Sequence, residues 1–181
     1  MPMIDAFIPA GALAPAAEAA LIEELTDTLL RHEAGLDPAN DRARSVSLVF
    51  LHRPASVYVG GRLATDARYR FVVCVPEGQF EDEAVLQSLV HQVTGAVARA
   101  ERQPFDDVAP RVWVFPFQIP DGTWGGRGVI RRLPEIVGWL VGEQGAEAAR
   151  QRLARHRRHQ ALAVLRAVTE GGGAWTGTPR R

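Results

Sequence analysis

IDAFIPAG (4–11) is echoed by FVVCVPEG (71–78), 67 positions later. Each stretch reads as a short β-strand running into a Pro-x-Gly turn. Leu21, Ile22, Leu25 and Leu29 follow the first copy at three- and four-residue spacing. Leu86, Leu89, Val90, Val93 and Val97 follow the second in the same way, so each strand leads into a helix with one apolar stripe. Each helix is followed by a β-rich run, SVSLVFL (45–51) and then RVWVFPF (111–117). Pro54 and Pro120 close these runs, and the glycine pairs Gly60-Gly61 and Gly125-Gly126 come after them. The unit is β-α-β, present twice.

Two parallel strands joined by a right-handed helical crossover make one unit. Two units make an α+β fold, a four-stranded sheet with two helices on one face. Residues 1–66 form the first unit and 67–132 the second, followed by a C-terminal helical extension over 133–170. That extension reads as one helix about Pro134–Val141 and a longer one from about Glu147. Residues 171–181, GGGAWTGTPRR, read as a flexible tail. The uncovered sheet face carries Phe50, Trp113 and Phe115, which implies burial in an oligomer.

The 181 residues are 46% hydrophobic and 23% charged with zero formal net charge, the balance of an ordinary globular chain. A neutral chain has no global field to recruit nucleic acid or an anionic membrane surface. No apolar run approaches the ~20 residues of a membrane span. The N-terminus lacks a secretory signal pattern, and the single Cys74 suits a reducing compartment. A cytoplasmic protein is expected.

The chain opens Met1-Pro2. Aminopeptidases remove an initiator Met before a small residue, and the mature chain would then begin with the secondary amine of Pro2. An α-amino group titrates around pH ~7.7–8.0, and apolar surroundings would lower that further. Such a group can act as a general base or acid near neutrality.

A proline behind the initiator Met, an Ile-Pro-x-Gly turn and a second strand ending in Pro and a glycine pair resemble the tautomerase superfamily. The tandem unit is similar to its double β-α-β members, the cis-3-chloroacrylic acid dehalogenase and malonate semialdehyde decarboxylase groups beside 4-oxalocrotonate tautomerase. The resemblance covers about residues 2–132. It rests on LVFLHRPASVYVGG (48–61) and VWVFPFQIPDG (112–122) as well as on the proline. It implies a homotrimer without cofactor or metal, and catalysis by Pro2 on a small-molecule carboxylate.

Few of the family's helper residues are matched. Ala12 stands where the tautomerases place an arginine, and Pro76 and Gln79 where the dehalogenase has two. Phe115 replaces its tyrosine, Gly126 lies near its glutamate, and Leu29 replaces its histidine. Asp41 lies near the decarboxylase's aspartate, and Trp124 stands where tautomerases line the pocket with an aromatic. Hydration chemistry lacks its water-activating pair. Keto-enol tautomerisation needs only a base and a group that stabilises the enolate oxygen.

The anion partner must then be another arginine: Arg53, Arg70, Arg111 or Arg127. Arg111 leads, because alternation from Trp113 puts it on the same face at the mouth of the last strand. The reading is an isomerase using Pro2 as general base on a 2-oxo or enol acid. The alternatives are Pro2 as general acid in decarboxylase or hydratase chemistry, and a non-catalytic trimeric scaffold. His156 and His159 at i, i+3 lack a third metal ligand, and RQRLARHRRHQ (150–160) is one basic patch on a neutral chain. Both read as an exposed helix face.

Overall fold

The computed structural model describes residues 3–33 and 36–170. Strand β1 (Met3–Phe7) leads through the Pro9–Gly11 turn into α1 (Pro15–His32), then a short α2 (Asp41–Ser45) and β2 (Leu48–His52). A small hairpin follows, β3 (Tyr58–Val59) and β4 (Arg62–Leu63). The pattern then repeats with β5 (Tyr69–Pro76), α3 (Glu83–Glu101), a one-turn α4 (Phe105–Val108), β6 (Val112–Ile119) and the hairpin β7 (Trp124–Gly126) and β8 (Val129–Arg131). Two helices close the described chain, α5 (Leu133–Val141) and α6 (Glu143–Glu170).

The sheet order is β2-β1-β5-β6. Within each unit the pairing is parallel, β1 with β2 and β5 with β6, while the units meet through antiparallel β1 and β5. Alternation sends Ile4, Ala6, Phe71, Val73 and Val75 into the core. There they meet Leu21, Leu25 and Leu29 of α1 and Leu89, Val93 and Val97 of α3. Pro15 starts α1 at a position where its missing N–H costs nothing. Asp82 caps α3, its carboxylate accepting from Val85 N at 2.9 Å.

The open face is built in rows across the four strands. Leu48, Met3, Cys74 and Phe117 form the first, Phe50, Asp5, Val72 and Phe115 the second, and His52, Phe7, Arg70 and Trp113 the third. Phe50, Phe117 and Trp113 are 48, 51 and 63% exposed, the bare apolar face that the sequence implies.

Several boundaries differ from the sequence reading. Ser45 ends α2 rather than starting a strand, because the Asn40 side chain accepts from Ala43 N at 3.0 Å and caps a helical turn there. Arg111 closes a 3-10 turn, Ala109–Arg111, so strand alternation does not reach it. α6 starts at Glu143, only one residue after α5, with Gly142 at φ 88° making the corner. Gly138 lets the two helices approach, since a Cβ there would lie 3.1 Å from that of Ala146.

Arg111 instead joins the ends of α3 and β5. Its guanidinium grips both oxygens of Glu101, one contact being 2.8 Å, and donates to the Ala67 carbonyl at 3.0 Å. The Tyr69 hydroxyl donates to Glu101 at 2.6 Å. The Arg111 hydrogen bonds hold the Glu101 carboxyl below its usual range, and burial first, then that carboxylate, push the Tyr69 hydroxyl up. Arg111→Ala should cost about 2 kcal/mol in urea denaturation, because it strands a largely buried carboxylate. A carboxyl lowered by folding stabilises the native state fully above its unfolded pKa, near 4.5. In the wild type that contribution should fade as pH drops below 4.5 through the lowered folded value; in Arg111→Ala the fade should shrink.

Candidate active site

β1 and β2 start, and β5 and β6 finish, at one end of the sheet. Onto that end the chain packs the β7–β8 hairpin and α5. Leu30, Leu36 and Ala43 from the first unit form one cluster with Ile136 and Leu140 of α5, with Val46 and Trp124 against it. Between these elements opens a cleft of about 190 Å³, lined by Val46, Ile136 and Trp139 on its apolar side and by Arg127, Arg131 and Glu135.

The hairpin turn delivers the cations. Gly126 pairs with Val129, leaving Arg127 and Gly128 as a two-residue loop with φ of 54° and 77°. Positive φ at both positions suits the twist of a tight hairpin. It projects the Arg127 guanidinium over the Trp139 ring, 6.0 Å from the centroid. Arg131, opposite Trp124 on β8, lines the same cleft. Among the described residues neither guanidinium has an acidic partner; the nearby Glu135 carboxylate accepts from the Arg132 backbone N–H at 3.2 Å. Two uncommitted cations beside an apolar wall can hold an anion by charge-assisted hydrogen bonds.

The other residues singled out from the sequence are dispersed. Trp124 and Arg127 share the hairpin at the cleft, and exposed Asp41 lies on α2, which Arg42 ties to the Trp139 carbonyl at 3.0 Å. Arg53 lies at the opposite end of the sheet and grips Glu18 with both terminal nitrogens at 2.5 and 2.6 Å. Arg111 lies at that far end too, committed to Glu101. Arg70 and Phe115 face each other on the open face, guanidinium to ring centroid 5.5 Å. Pro2 lies outside the described residues.

Arg131, Trp139 and Arg152 escaped sequence reading. Arg131 ends a strand of three residues, too short for a period, and Trp139 and Arg152 reach this end only through packing of the extension. Arg152 of α6 donates to the Gly78 carbonyl at 3.0 Å and to the Gln79 side-chain oxygen at 2.7 Å, while Gln79 donates to Glu33 at 3.0 Å. Burial lowers the Arg152 pKa from its ordinary value. The turn around Gly78 is thus held by the extension, and Gly78 is required there: its φ is 85° and a Cβ would meet the Leu153 backbone at 3.3 Å. Arg152→Ala leaves a buried amide oxygen unsatisfied. It should destabilise the chain by about 1–3 kcal/mol in denaturant titration and speed hydrogen exchange at Gly78–Phe80.

No family model matches this sequence, and no curated protein aligns with it significantly. Solved structures do match. A wild-type fused 4-OT solved as a symmetric trimer is 20% identical with a TM-score of 0.56, over 71% of this chain and 94% of its own. A member of the cis-3-chloroacrylic acid dehalogenase family is 18% identical with a TM-score of 0.55, over 71% and 82%. The macrophage migration inhibitory factor of Toxoplasma gondii is 13% identical with a TM-score of 0.53, over 71% and 99%. The chain has the double β-α-β tautomerase fold. Among the described residues no helix is long and apolar enough to cross a membrane.

Proposed function

We propose that the chain is an isomerase of the tautomerase type, with the amine of Pro2 as general base on a small 2-oxo or enol acid. The observation that carries this reading is the cleft with two uncommitted arginines at the end of the sheet where β1 begins. Met3, the residue after Pro2, pairs there with Leu48 and Cys74. In the proposed reaction the neutral amine takes a proton from the enol hydroxyl or the carbon next to the carbonyl, and returns it at the other position. Arg127 and Arg131 hold the substrate carboxylate and the developing enolate oxygen, the charge that most needs stabilising. Trp139, Ile136 and Val46 exclude water and favour the neutral amine.

The working form is a homotrimer in this proposal, with the open sheet faces turned toward one another. Leu48, Phe50 and Phe117 form an apolar stripe too exposed for a lone chain. The fused 4-OT trimer among the matching folds supports it.

A second reading, a scaffold without catalysis, has its own support. Gln79, where the resemblance expects an arginine, is 1% exposed and locked to Glu33 and Arg152, and Ala12 packs against the core. Activity on a panel of enol and 2-oxo acids separates the two readings. Met-processed protein should turn over at least one of them, with intact mass lacking one methionine. Pro2→Ala should lower kcat by roughly 10²–10⁴-fold with fold and assembly kept. Arg131→Ala should raise KM more than it lowers kcat, since it removes ground-state binding. Retention of Met1 or undiminished turnover by Pro2→Ala overturns the base, and a fully inert panel leaves the scaffold. Sedimentation should give a trimer, and Phe50→Asp should release monomers.

A further inference from the structure

The antiparallel meeting of β1 and β5 relates the two units by an approximate two-fold axis. The start of β5 is therefore the counterpart of the start of β1, and the β3–β4 hairpin is the counterpart of β7–β8. A second cavity opens at that counterpart position. It holds about 600 Å³ and lies between the β3–β4 hairpin, the start of β5 and the third row of the open face.

Its chemistry differs from that of the first cleft. The chain runs straight through Ala67 and Arg68 into Tyr69, so no terminal amine exists here. The Tyr69 hydroxyl is spent on Glu101. The walls are aromatic: Phe7, Tyr58, Trp113 and Phe115 all line the cavity, and Trp113 and Phe115 lie near-parallel, at 22°, with centroids 6.2 Å apart. Arg70 stands among them, its guanidinium carbon 5.0 Å from the Phe7 centroid and 5.5 Å from that of Phe115.

That guanidinium has no hydrogen-bond or ion-pair partner among the described residues. The nearby carboxylate of Asp5 is taken by His52 at 2.7 Å. Arg68, also on the lining, donates from one terminal nitrogen to the Pro110 carbonyl at 3.3 Å, while its Nε is buried without a partner. A guanidinium that is stacked but unneutralised, among exposed aromatic rings, is complementary to one kind of small molecule.

We infer that this cavity is a second ligand site, for a planar aryl carboxylate. The ring stacks against Trp113, Phe115 and Tyr58, and the carboxylate takes the fork of Arg70. The site binds and does not react, because the repeat supplies its cavity without a chain terminus. This inference stands apart from the chemistry proposed for Pro2; it takes the trimer contact to be the stripe of Leu48, Phe50 and Phe117, with the third row at its edge left open to a ligand.

Calorimetric titration of the full-length chain with 2-naphthoate tests it, in an Arg127→Gln background so that the amino-terminal cleft does not report. Saturable binding of one naphthoate per chain is expected. Adding Arg70→Gln should weaken it by at least about tenfold, the worth of a charge-assisted hydrogen bond. Replacing the ligand by uncharged 2-naphthamide should cost as much. Should Arg70→Gln melt early, Tyr58→Ala on the exposed hairpin is read instead, weakened binding being the expected result. Equal affinity in these variants, or equal affinity for the amide, overturns the assignment. Absence of saturable binding also overturns it and gives the cavity to the contact between copies of the chain.

Discussion

Everything in this molecule follows from the antiparallel ladder between β1 and β5, with Ile4 against Val73 and Ala6 against Phe71. Both strands are central, so their core-facing side chains are buried and the register cannot slip by one without turning Ile4, Ala6 and Val73 out to solvent. The ladder also settles which parts of the chain meet. It sets the first residues of one unit beside the last residues of the other, together with the turn and hairpin that follow them. Neither cavity belongs to a single unit. The cleft that Val46 of the first unit lines is walled by the second hairpin, and the cavity that Tyr69 lines by the first.

The extension then breaks the symmetry. α5 covers only the end of the sheet at which the chain begins, joining Leu30 and Leu36 through Ile136 and Leu140. α6 binds the Gly78 turn from outside, by Leu153 in van der Waals contact and by Arg152 on two acceptors. Arg157 adds a bidentate grip on Glu77, at 2.8 and 3.0 Å, which keeps the Glu77 carboxyl below its usual range. It is at this turn that the resemblance to the dehalogenase group implies arginines. Here the cation comes from the extension and is consumed in holding the turn. Among the described residues the hairpin's Arg127 and Arg131 line the cleft there without an acidic partner.

The fold was legible because its signals are local and repeated. Period-two strands, four-residue helical stripes and proline positions recur at one spacing, so each copy corroborates the other. The site was legible only in part. Trp124 and Arg127 sit on the hairpin that the glycines announce, and they do line or back the cleft. Arg111 was read by alternation from Trp113, but the 3-10 turn at Ala109–Arg111 rotates it out of the strand and toward Glu101. Trp139 and Arg152 were out of reach because no periodicity states which surface a tail helix will cover. Such placements depend on tertiary packing and on single glycines such as Gly138 and Gly78.

The broken symmetry has a chemical consequence. A chain has one amino terminus, so duplicating a unit can repeat a cavity but not a terminus. At the second position the backbone is continuous, and that end of β5 is closed instead by Glu101, clamped between Tyr69 and Arg111. That clamp takes up Arg111 at the mouth of β6, while Arg70 on the open face has no hydrogen-bond or ion-pair partner among the described residues. The two ends therefore separate by necessity. One keeps, among the described residues, two arginines without an acidic partner and the Trp139 ring from α5; the other keeps aromatic walls and a stacked guanidinium over an intact backbone. The first end presents two cations beside one indole and the second a cation among four aromatic rings, so duplication followed by a one-sided extension has left two cavities of different chemistry.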